Sequence, residues 1–599
     1  MIDNPEEQLQ RVVNRLHMVK IEHAMTMTIF RQFESAAFWG DKLLSLNRNS
    51  SGDLLLVAKC FMSNGDYNRT RILLENSPLY HSDPQFKYLV ALCHFHLKDY
   101  QTAATVLELL EEFLDVDQQQ QQPGSSFKTP FTPKITNIEF SNPLRASICL
   151  LRGKVAEILG SLQQAMKFYE EALRFDVFCA EAYEKLIKKH MYTPEEEQRL
   201  VERMVIEKQC DSDVASVVRC SYEQEVHQYM KSIIVNLPTF TIGLLNDNAD
   251  YCINIAEKFY YNYKFRESFD LCKKVLTHNP FHQHGLFIYI ALLYEMKDKT
   301  ELFSLGHRLA RQCPENPLSW LAVGCYYLVT KKPEPTRRYL AKATSLCRSF
   351  GPAWLALGHS YGLESEHDHA ISAYFTAADV MRGCHLPILY VGLEYSLTNN
   401  LRLAERLYSE SLKFYPDDPA VLHELGVINY LNREYHHALL FFQRALIKVE
   451  AIDQVDLLPY WEPLFNNMGH ACRKLKKYDD AIIHFKKCLG LTPRNPQTLI
   501  AIGFVHALQG NYGQAIEYLH QGLWLSPASS FAQTLLNKCF NMTQSKTYVE
   551  QLPEPPGDLN DYLSARQNST ITQTEMIPVS VPIPSVEESD QGSSSMIIT

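Results

Sequence analysis

An all-α solenoid, in which helical hairpins stack into a superhelix, is the fold class this sequence predicts, and three observations carry it. The first is a glycine register: Gly324, Gly358, Gly392 and Gly426 stand 34 residues apart, and Gly469 and Gly503 keep the same step after an insertion of nine. Stepping backwards reaches Ile290 and Ala256, still small or apolar. The second is that other residue types recur in phase with this slot. Four before it stand Trp320, Trp354, Ile388, Leu422, Phe465 and Leu499; twelve after it Ala370, Ala404, Ala438, Ala481 and Ala515; sixteen after it Tyr374, Tyr408, Phe442, Phe485 and Leu519. The third is punctuation, with Pro416, Pro493 and Pro527 each falling 24 residues past a slot.

A small residue, a second small residue and an aromatic at these offsets in a 34-residue unit make the tetratricopeptide pattern, a helix-turn-helix repeat. Glycine in helix A and alanine in helix B let the two helices of one unit approach closely, large side chains fill the space between units, and proline stops helix B. One repeat cannot bury both faces, so stability requires the stack.

Along the chain, residues 1–114 read as N-terminal tetratricopeptide-like helices. "QFESAAFWGDKLLSL" is amphipathic, and the helical pairs over 54–75 and 86–110 put Ala58 and Ala91 in the slot, 33 apart. Residues 115–143, with a glutamine run and several prolines, read as a disordered insertion. The period resumes over 144–250 with Gly153 in the slot and Ala165 and Tyr169 in phase. Gly153 to Ala256 spans 103 residues, room for two degenerate repeats between them. Thr193 and Glu196 form a capping box with Pro194 just inside. Residues 251–542 read as a C-terminal superhelix closed by a helix over "SSFAQTLLNKCF", and 543–599 as a disordered tail.

Composition excludes several functions. With 58 Lys+Arg against 68 Asp+Glu the net charge is -10, and the compact basic run "RKLKK" is too small a footprint for nucleic acid. The 15 cysteines include no C-x-x-C pair, so no zinc knuckle or redox dithiol is written here. No run approaches a membrane span, and a soluble intracellular protein without cofactor is expected. "GHSYG" at 358–362 imitates the nucleophile elbow of serine hydrolases. That elbow needs a strand before it, whereas Ser360 falls inside helix A with Tyr326, Glu394 and Ile428 as its periodic equivalents. His367 and His369 are two apart and point to different sides of a helix, so no metal site is expected. No catalytic residue is assigned.

Longer segments resemble a particular family. "ASICLLRGK", "NPLSWLAVGCYYL", "GPAWLALGHSYGLESEHDHAISAYFTAA", "GCHLPILYVGLEYSLTNN" and "WEPLFNNMGHACRKLKKY" are similar to the cell-division-cycle-sixteen, or subunit-six, family of tetratricopeptide subunits of the anaphase-promoting complex. The resemblance runs from about residue 30 to about 540. It implies a non-catalytic scaffold that homodimerises through its N-terminal repeats. It implies that the inner groove of the C-terminal repeats holds the extended N-terminal segment of the small cell-division-cycle-twenty-six subunit. The other implied partners are related tetratricopeptide subunits of a cullin-RING ligase that marks cyclins and securin. The implied location is nucleus and cytoplasm, with spindle or centrosome in mitosis.

In such a stack the groove is lined by helix A at three before, one after and four after the slot. Those places hold Leu355 and His359; Leu389 and Leu393; His423, Val427 and Tyr430; Asn466, His470 and Arg473; and Phe504. Apolar members bury a partner's anchors, and polar ones bond its backbone or acids. A tetratricopeptide adaptor in transport or chaperone handling is the alternative. Chaperone-binding repeats carry asparagine just after the slot, whereas here that place holds Cys325, His359, Leu393, Val427, His470 and Phe504. Thr129 and Thr132, each followed by proline in the insertion, are candidate sites for proline-directed mitotic kinases.

Overall fold

The structure is a computed structural model that describes residues 33–46, 51–111, 142–204, 206–226, 248–416, 418–452 and 459–544. Among these residues there is no β-strand. The chain divides into two compact units, Met1–Val226 and His227–Thr599.

The first unit opens with α1 (Phe33–Leu46) and continues in hairpins: α2 (Ser51–Asn64) with α3 (Tyr67–Glu75), α4 (Pro84–His96) with α5 (Tyr100–Glu108), and α6 (Asn142–Ile158) with α7 (Leu162–Phe175). Shorter helices follow, α8 (Ala180–Ile187), α9 (Pro194–Arg203), α10 (Ile206–Gln209) and α11 (Ser212–Glu225). The second unit stacks regular hairpins: α12 (Ala249–Tyr261) with α13 (Phe265–His278), α14 (Gln283–Glu295) with α15 (Lys299–Gln312), α16 (Pro317–Val329) with α17 (Pro333–Leu346), and α18 (Gly351–Gly362) with α19 (His367–Val380). It continues in α20 (Leu386–Leu397) with α21 (Leu401–Phe414), α22 (Pro419–Leu431) with α23 (Tyr435–Ile452), α24 (Glu462–Lys474) with α25 (Tyr478–Leu491), and α26 (Pro496–Leu508) with α27 (Tyr512–Leu525), before the closing helix α28 (Ser530–Gln544).

The slot behaves as the sequence predicts. A Cβ added at Gly358 would lie 2.3 Å from Tyr374 Cε1, and at Gly153, Gly392, Gly426 and Gly469 it would lie 2.4, 2.6, 2.5 and 2.6 Å from the ring sixteen residues on. A methyl group cannot fit there without displacing the ring. The alanines twelve after the slot, Ala370, Ala404, Ala438, Ala481 and Ala515, are fully buried beside it. Helix B ends two residues before the phased prolines, at Phe414, Leu491 and Leu525.

Each helix A is bounded by local chemistry. Asn316, Asp418 and Asn495 cap α16, α22 and α26 by accepting a bond from a backbone N–H two residues on, each at 3.0 Å, with Pro317, Pro419 and Pro496 at the first helical position. At the other end a left-handed residue recurs seven after every slot: Gly65, Lys98 and Gly160 in the first unit, and Tyr263, Lys297, Lys331, Ser365, Asn399, Arg433, Lys476 and Gly510 in the second. It lets the chain reverse while the last carbonyls are satisfied, as where Lys297 N–H bonds Tyr294 O and Asp298 N–H bonds Leu293 O, both at 3.1 Å. Most of these positions are not glycine, so the turn carries a steric cost of about 1–2 kcal/mol per residue.

Ser360 lies within α18, fully buried, its Oγ donating to Leu357 O at 2.7 Å. It is a core residue in a helix and lacks the geometry of an elbow. The Thr193–Glu196 capping box is present, with Pro194 at the first turn of α9. After α7 the helices α8, α9 and α10 are short, and side-chain hydrogen bonds help to join them. Gln209 accepts from Val177 N and donates to Arg174 O, both at 3.0 Å, and Tyr183 OH donates to Tyr222 O at 2.7 Å. Helix α6 begins at Asn142 and α28 runs to Gln544, so each claims two residues from the segments read as insertion and tail. The remainder of both segments, including Thr129 and Thr132, lies outside the described residues.

Candidate peptide-binding site

Within the second unit the stack comes round on itself. Tyr263 sits in the left-handed turn of the first hairpin, at φ 61, yet its hydroxyl donates to Asp418 Oδ1 at 2.8 Å across 155 residues. The same ring packs edge-on against Trp461 at 5.4 Å and lies 6.0 Å from Tyr460, both just before α24. Asp418 is fully buried and divides its oxygens. Oδ1 also caps α22 through Ala420 N–H, and Oδ2 lies 2.8 Å from His385 Nε2 at the start of α20. The turn of one hairpin thereby clasps elements five and six hairpins away. Positive φ on a bulky aromatic marks strain that the surroundings must hold in place.

The inner side of this closure is a candidate trough for a guest chain. Four after the slots Ala256 and Ile290 are Tyr260 and Tyr294, and with Tyr390 and Tyr460 they line it, all half-buried. His359 joins them. Its Nδ1 is bonded to Tyr374 OH at 2.8 Å, and its ring packs edge-on on Tyr390 at 4.5 Å and parallel to Tyr294 at 6.5 Å. Tyr374 and Tyr390 are stacked at 5.6 Å.

Burial governs the titratable groups gathered there. Burial pushes the phenols of Tyr260, Tyr294 and Tyr460 well above their ordinary value, and the nearby Glu295 carboxylate adds to the shift. Burial lowers His359 to about 4, which keeps the imidazole neutral. It raises Glu295 to about 8, against a small opposing influence from Lys297. Hydroxyls, a neutral imidazole and aromatic faces suit an extended chain, which needs hydrogen-bond partners for its backbone and flat surfaces for its side chains.

The sequence-derived groove positions divide into two sets. Leu355, His359, Leu393, Asn466 and His470 keep contact with solvent. Leu389, His423, Val427, Tyr430, Arg473 and Phe504 are buried. Val427 and Tyr430 belong to the core formed with α23 and α24, and Leu389 to the core shared by α21 and α22. His423 Nε2 meets Asn467 Nδ2 at 2.9 Å, and Arg473 lies over the Phe504 ring at 5.1 Å. Asn466 Oδ1 is buried without a hydrogen-bond partner among the described residues, and His470 packs edge-on to Phe485 at 5.1 Å. Tyr260 and Tyr294 were open to sequence reasoning, since the four-after rule extended to earlier repeats selects both. Tyr390 and Tyr460 follow no such rule.

A stack of 34-residue hairpins with this slot chemistry defines a tetratricopeptide-repeat protein. Known proteins narrow that class. The family model "Anaphase-promoting complex, cyclosome, subunit 3" matches residues 31–109, and "Tetratricopeptide repeat" matches 146–176 and 463–495. The Cell division cycle protein 16 homolog of Homo sapiens is 41% identical over 524 residues, covering 87% of this chain and 84% of its own. Anaphase-promoting complex subunit 6 of Arabidopsis thaliana is 33% identical, covering 86% of this chain and 95% of its own. A crystal structure of the Cut9-Hcn1 hetero-tetramer superposes with a TM-score of 0.73 at 30% identity, covering 89% of this chain and 98% of the matched one. The chain belongs to the cell division cycle protein 16 family, the subunit-six tetratricopeptide subunits of the anaphase-promoting complex.

Proposed function

We propose that the chain is a non-catalytic scaffold of the anaphase-promoting complex ubiquitin ligase, supporting cell-cycle-dependent ubiquitination of cyclins and securin in nucleus and cytoplasm. Its C-terminal trough holds a small accessory subunit of the Hcn1 or cell-division-cycle-twenty-six type in extended form. The observation that carries this reading is the tyrosine-lined trough clasped by Tyr263 and Asp418, in a fold that matches Cut9 of the Cut9-Hcn1 hetero-tetramer. A hetero-tetramer is what a homodimer with one small subunit per protomer satisfies. The N-terminal unit supplies apolar surface for that dimer, with Phe38 57%, Trp39 49% and Phe178 58% exposed.

Affinity purification from dividing cells tests the reading. Cullin, RING and small accessory subunits are expected to co-elute, and Ser360→Ala is expected to leave that set unchanged. Recovery of transport or chaperone components without ligase subunits would overturn it. Mitotic phosphorylation of Thr129 and Thr132 belongs to the same reading, and phosphosite mapping that finds both unmodified would remove it.

A further inference from the structure

The outer side of the second unit changes character along the stack. Two outward places recur on every helix B, fourteen and twenty-one residues after the slot, and both are solvent-exposed in all eight hairpins. In the first five hairpins every one of them is polar, from Asp270 and Thr277 on α13 to Arg406 and Lys413 on α21. In the last three they hold Leu440 and Ile447 on α23, Ile483 and Gly490 on α25, and Glu517 and Trp524 on α27. The four large apolar side chains are each more than half exposed.

The earlier hairpins show that the fold itself asks for nothing apolar at these places. Residues seven apart lie on one side of a helix, about 10 Å from each other, and equivalent places on stacked hairpins fall side by side. Leu440, Ile447, Ile483 and Trp524 therefore make one ridge across α23, α25 and α27. Gly490 leaves a notch in it, with nothing within 4 Å of an added Cβ. Arg444 and Lys487, both exposed, stand eighteen after the slot, between the two outward places of their helices, with Lys486 beside them. A large apolar patch interleaved with cations marks a surface that another segment covers.

The chain carries a segment of matching chemistry. Beyond α28, Ile577, Val579, Val581 and Ile583 alternate with Pro578, Ser580 and Pro582, and Glu587, Glu588 and Asp590 follow. Alternation of this kind places four β-branched side chains on one side of an extended strand, and the prolines disfavour a helix. The acids complement Arg444, Lys486 and Lys487. The segment also starts from the right place, since α28 shares a core with α27 through Leu535 and Leu519. Residues 545–576 give a tether of about 100 Å when extended, whereas three hairpins are about 60 Å wide at 10 Å per helix.

We propose that the ridge of α23, α25 and α27 is a docking surface for residues 576–590 of this same chain. The β-branched side chains cover Leu440, Ile447, Ile483 and Trp524, and the acids meet Arg444 and Lys487. Docking within one chain shields a patch that would otherwise drive association. It concerns the outer side of helix B and does not depend on what the inner side holds.

The probe is a labelled peptide of residues 574–591, titrated by fluorescence anisotropy against two full-length chains. One is unaltered, and the other carries Ile577→Ser, Val579→Ser, Val581→Ser and Ile583→Ser. A flexible tether gives its segment an effective concentration on the order of 1 mM, so for a dissociation constant of about 0.1 mM the peptide is expected to bind the four-serine chain about tenfold tighter than the unaltered chain. Adding Ile483→Ser and Trp524→Ser to the four-serine chain is expected to remove that binding without changing the melting temperature, because both side chains face solvent. Ser372→Ala with Arg406→Ala, at the same outward places in earlier hairpins, is expected to leave it intact. Equal binding to the unaltered and four-serine chains, no binding to the four-serine chain, or binding that survives the loss of Ile483 and Trp524 would each overturn the inference. A change in the number of chains per particle on the four-serine substitution, read by sedimentation, would place the segment on a second copy and overturn docking within one chain.

Discussion

The two units use the same slot chemistry to different ends. In the first, Ala58 and Ala91 hold two slots with Leu74 and Leu107 sixteen after and only Gly153 faces a ring, while in the second Gly358, Gly392, Gly426 and Gly469 all do. Glycine and ring trade volume: where the later residue is aromatic, helix A gives up its Cβ. The first unit then loses its period after α7 and knits short helices together with Gln209, Tyr183 and Tyr222. The second keeps the 34-residue step through six consecutive slots, 256 to 426. Equal steps accumulate into a uniform curve, and that curve brings Tyr263 to Asp418. Regularity closes the second unit on itself, and irregularity leaves the end of the first held by side-chain hydrogen bonds.

The largest effect that separates the units is expected at the clasp. Asp418→Ala removes a buried carboxylate that serves Tyr263, His385 and Ala420 N–H. A loss of about 3–5 kcal/mol is expected, since breaking a buried charged network strands its partners. Hydrogen exchange on the full chain should show the opening in α12, α13 and α22, with α6 and α7 unchanged. Equal loosening in both units would mean that the clasp does not belong to the second alone.

A smaller effect is expected at the slot. Gly358→Ala drives a methyl into Tyr374 and is expected to cost about 1–3 kcal/mol in denaturant unfolding. Gly490→Ala in α25, with nothing within 4 Å of the added carbon, is expected to stabilise by about 0.5–1 kcal/mol. If the two shifted stability alike, backbone freedom and not the ring would govern the slot.

The trough should also answer to acid. His359 is held near 4 in the folded chain against 6.5 ordinarily, so the stability it contributes is present above about 6.5 and is lost as pH falls towards 4. Melting temperatures of the unaltered chain and His359→Asn are expected to draw together over that interval. Glu295 acts with the opposite sign. Its carboxyl favours the fold below its ordinary range and loses that effect as pH rises through about 8, so Glu295→Gln is expected to gain on the unaltered chain between pH 5 and 8.

The smallest change is expected at the exposed turn residue Arg433, left-handed at φ 67. Arg433→Gly should stabilise by about 0.5–1 kcal/mol, the relieved αL strain less the backbone entropy of glycine.

What was legible in the sequence follows from distance along the chain. The slot, the alanine twelve on, the ring sixteen on and the proline stop are interactions within one hairpin, and all were readable from the period. The left-handed residue seven after the slot was hidden, because Tyr263, Lys297, Ser365 and Asn399 share no chemistry there. The groove was half legible. Offsets chose His359 and Leu393 at the surface of the stack, but they also chose Val427, which neighbouring helices cover completely. Tyr390, Tyr460 and the pairing of Tyr263 with Asp418 depend on how far the stack turns, which is the sum of many small rotations that no local pattern specifies.

The most direct measurement of the central claim is photo-crosslinking from the small subunit's peptide, carrying a diazirine side chain, to the full chain, with the adducts mapped by mass spectrometry. Adducts are expected on the inner wall, at Tyr260, Tyr294, Tyr390 or Tyr460. Adducts concentrated instead on outward side chains such as Trp524, 82% exposed on α27, would contradict an enclosed trough that receives the guest.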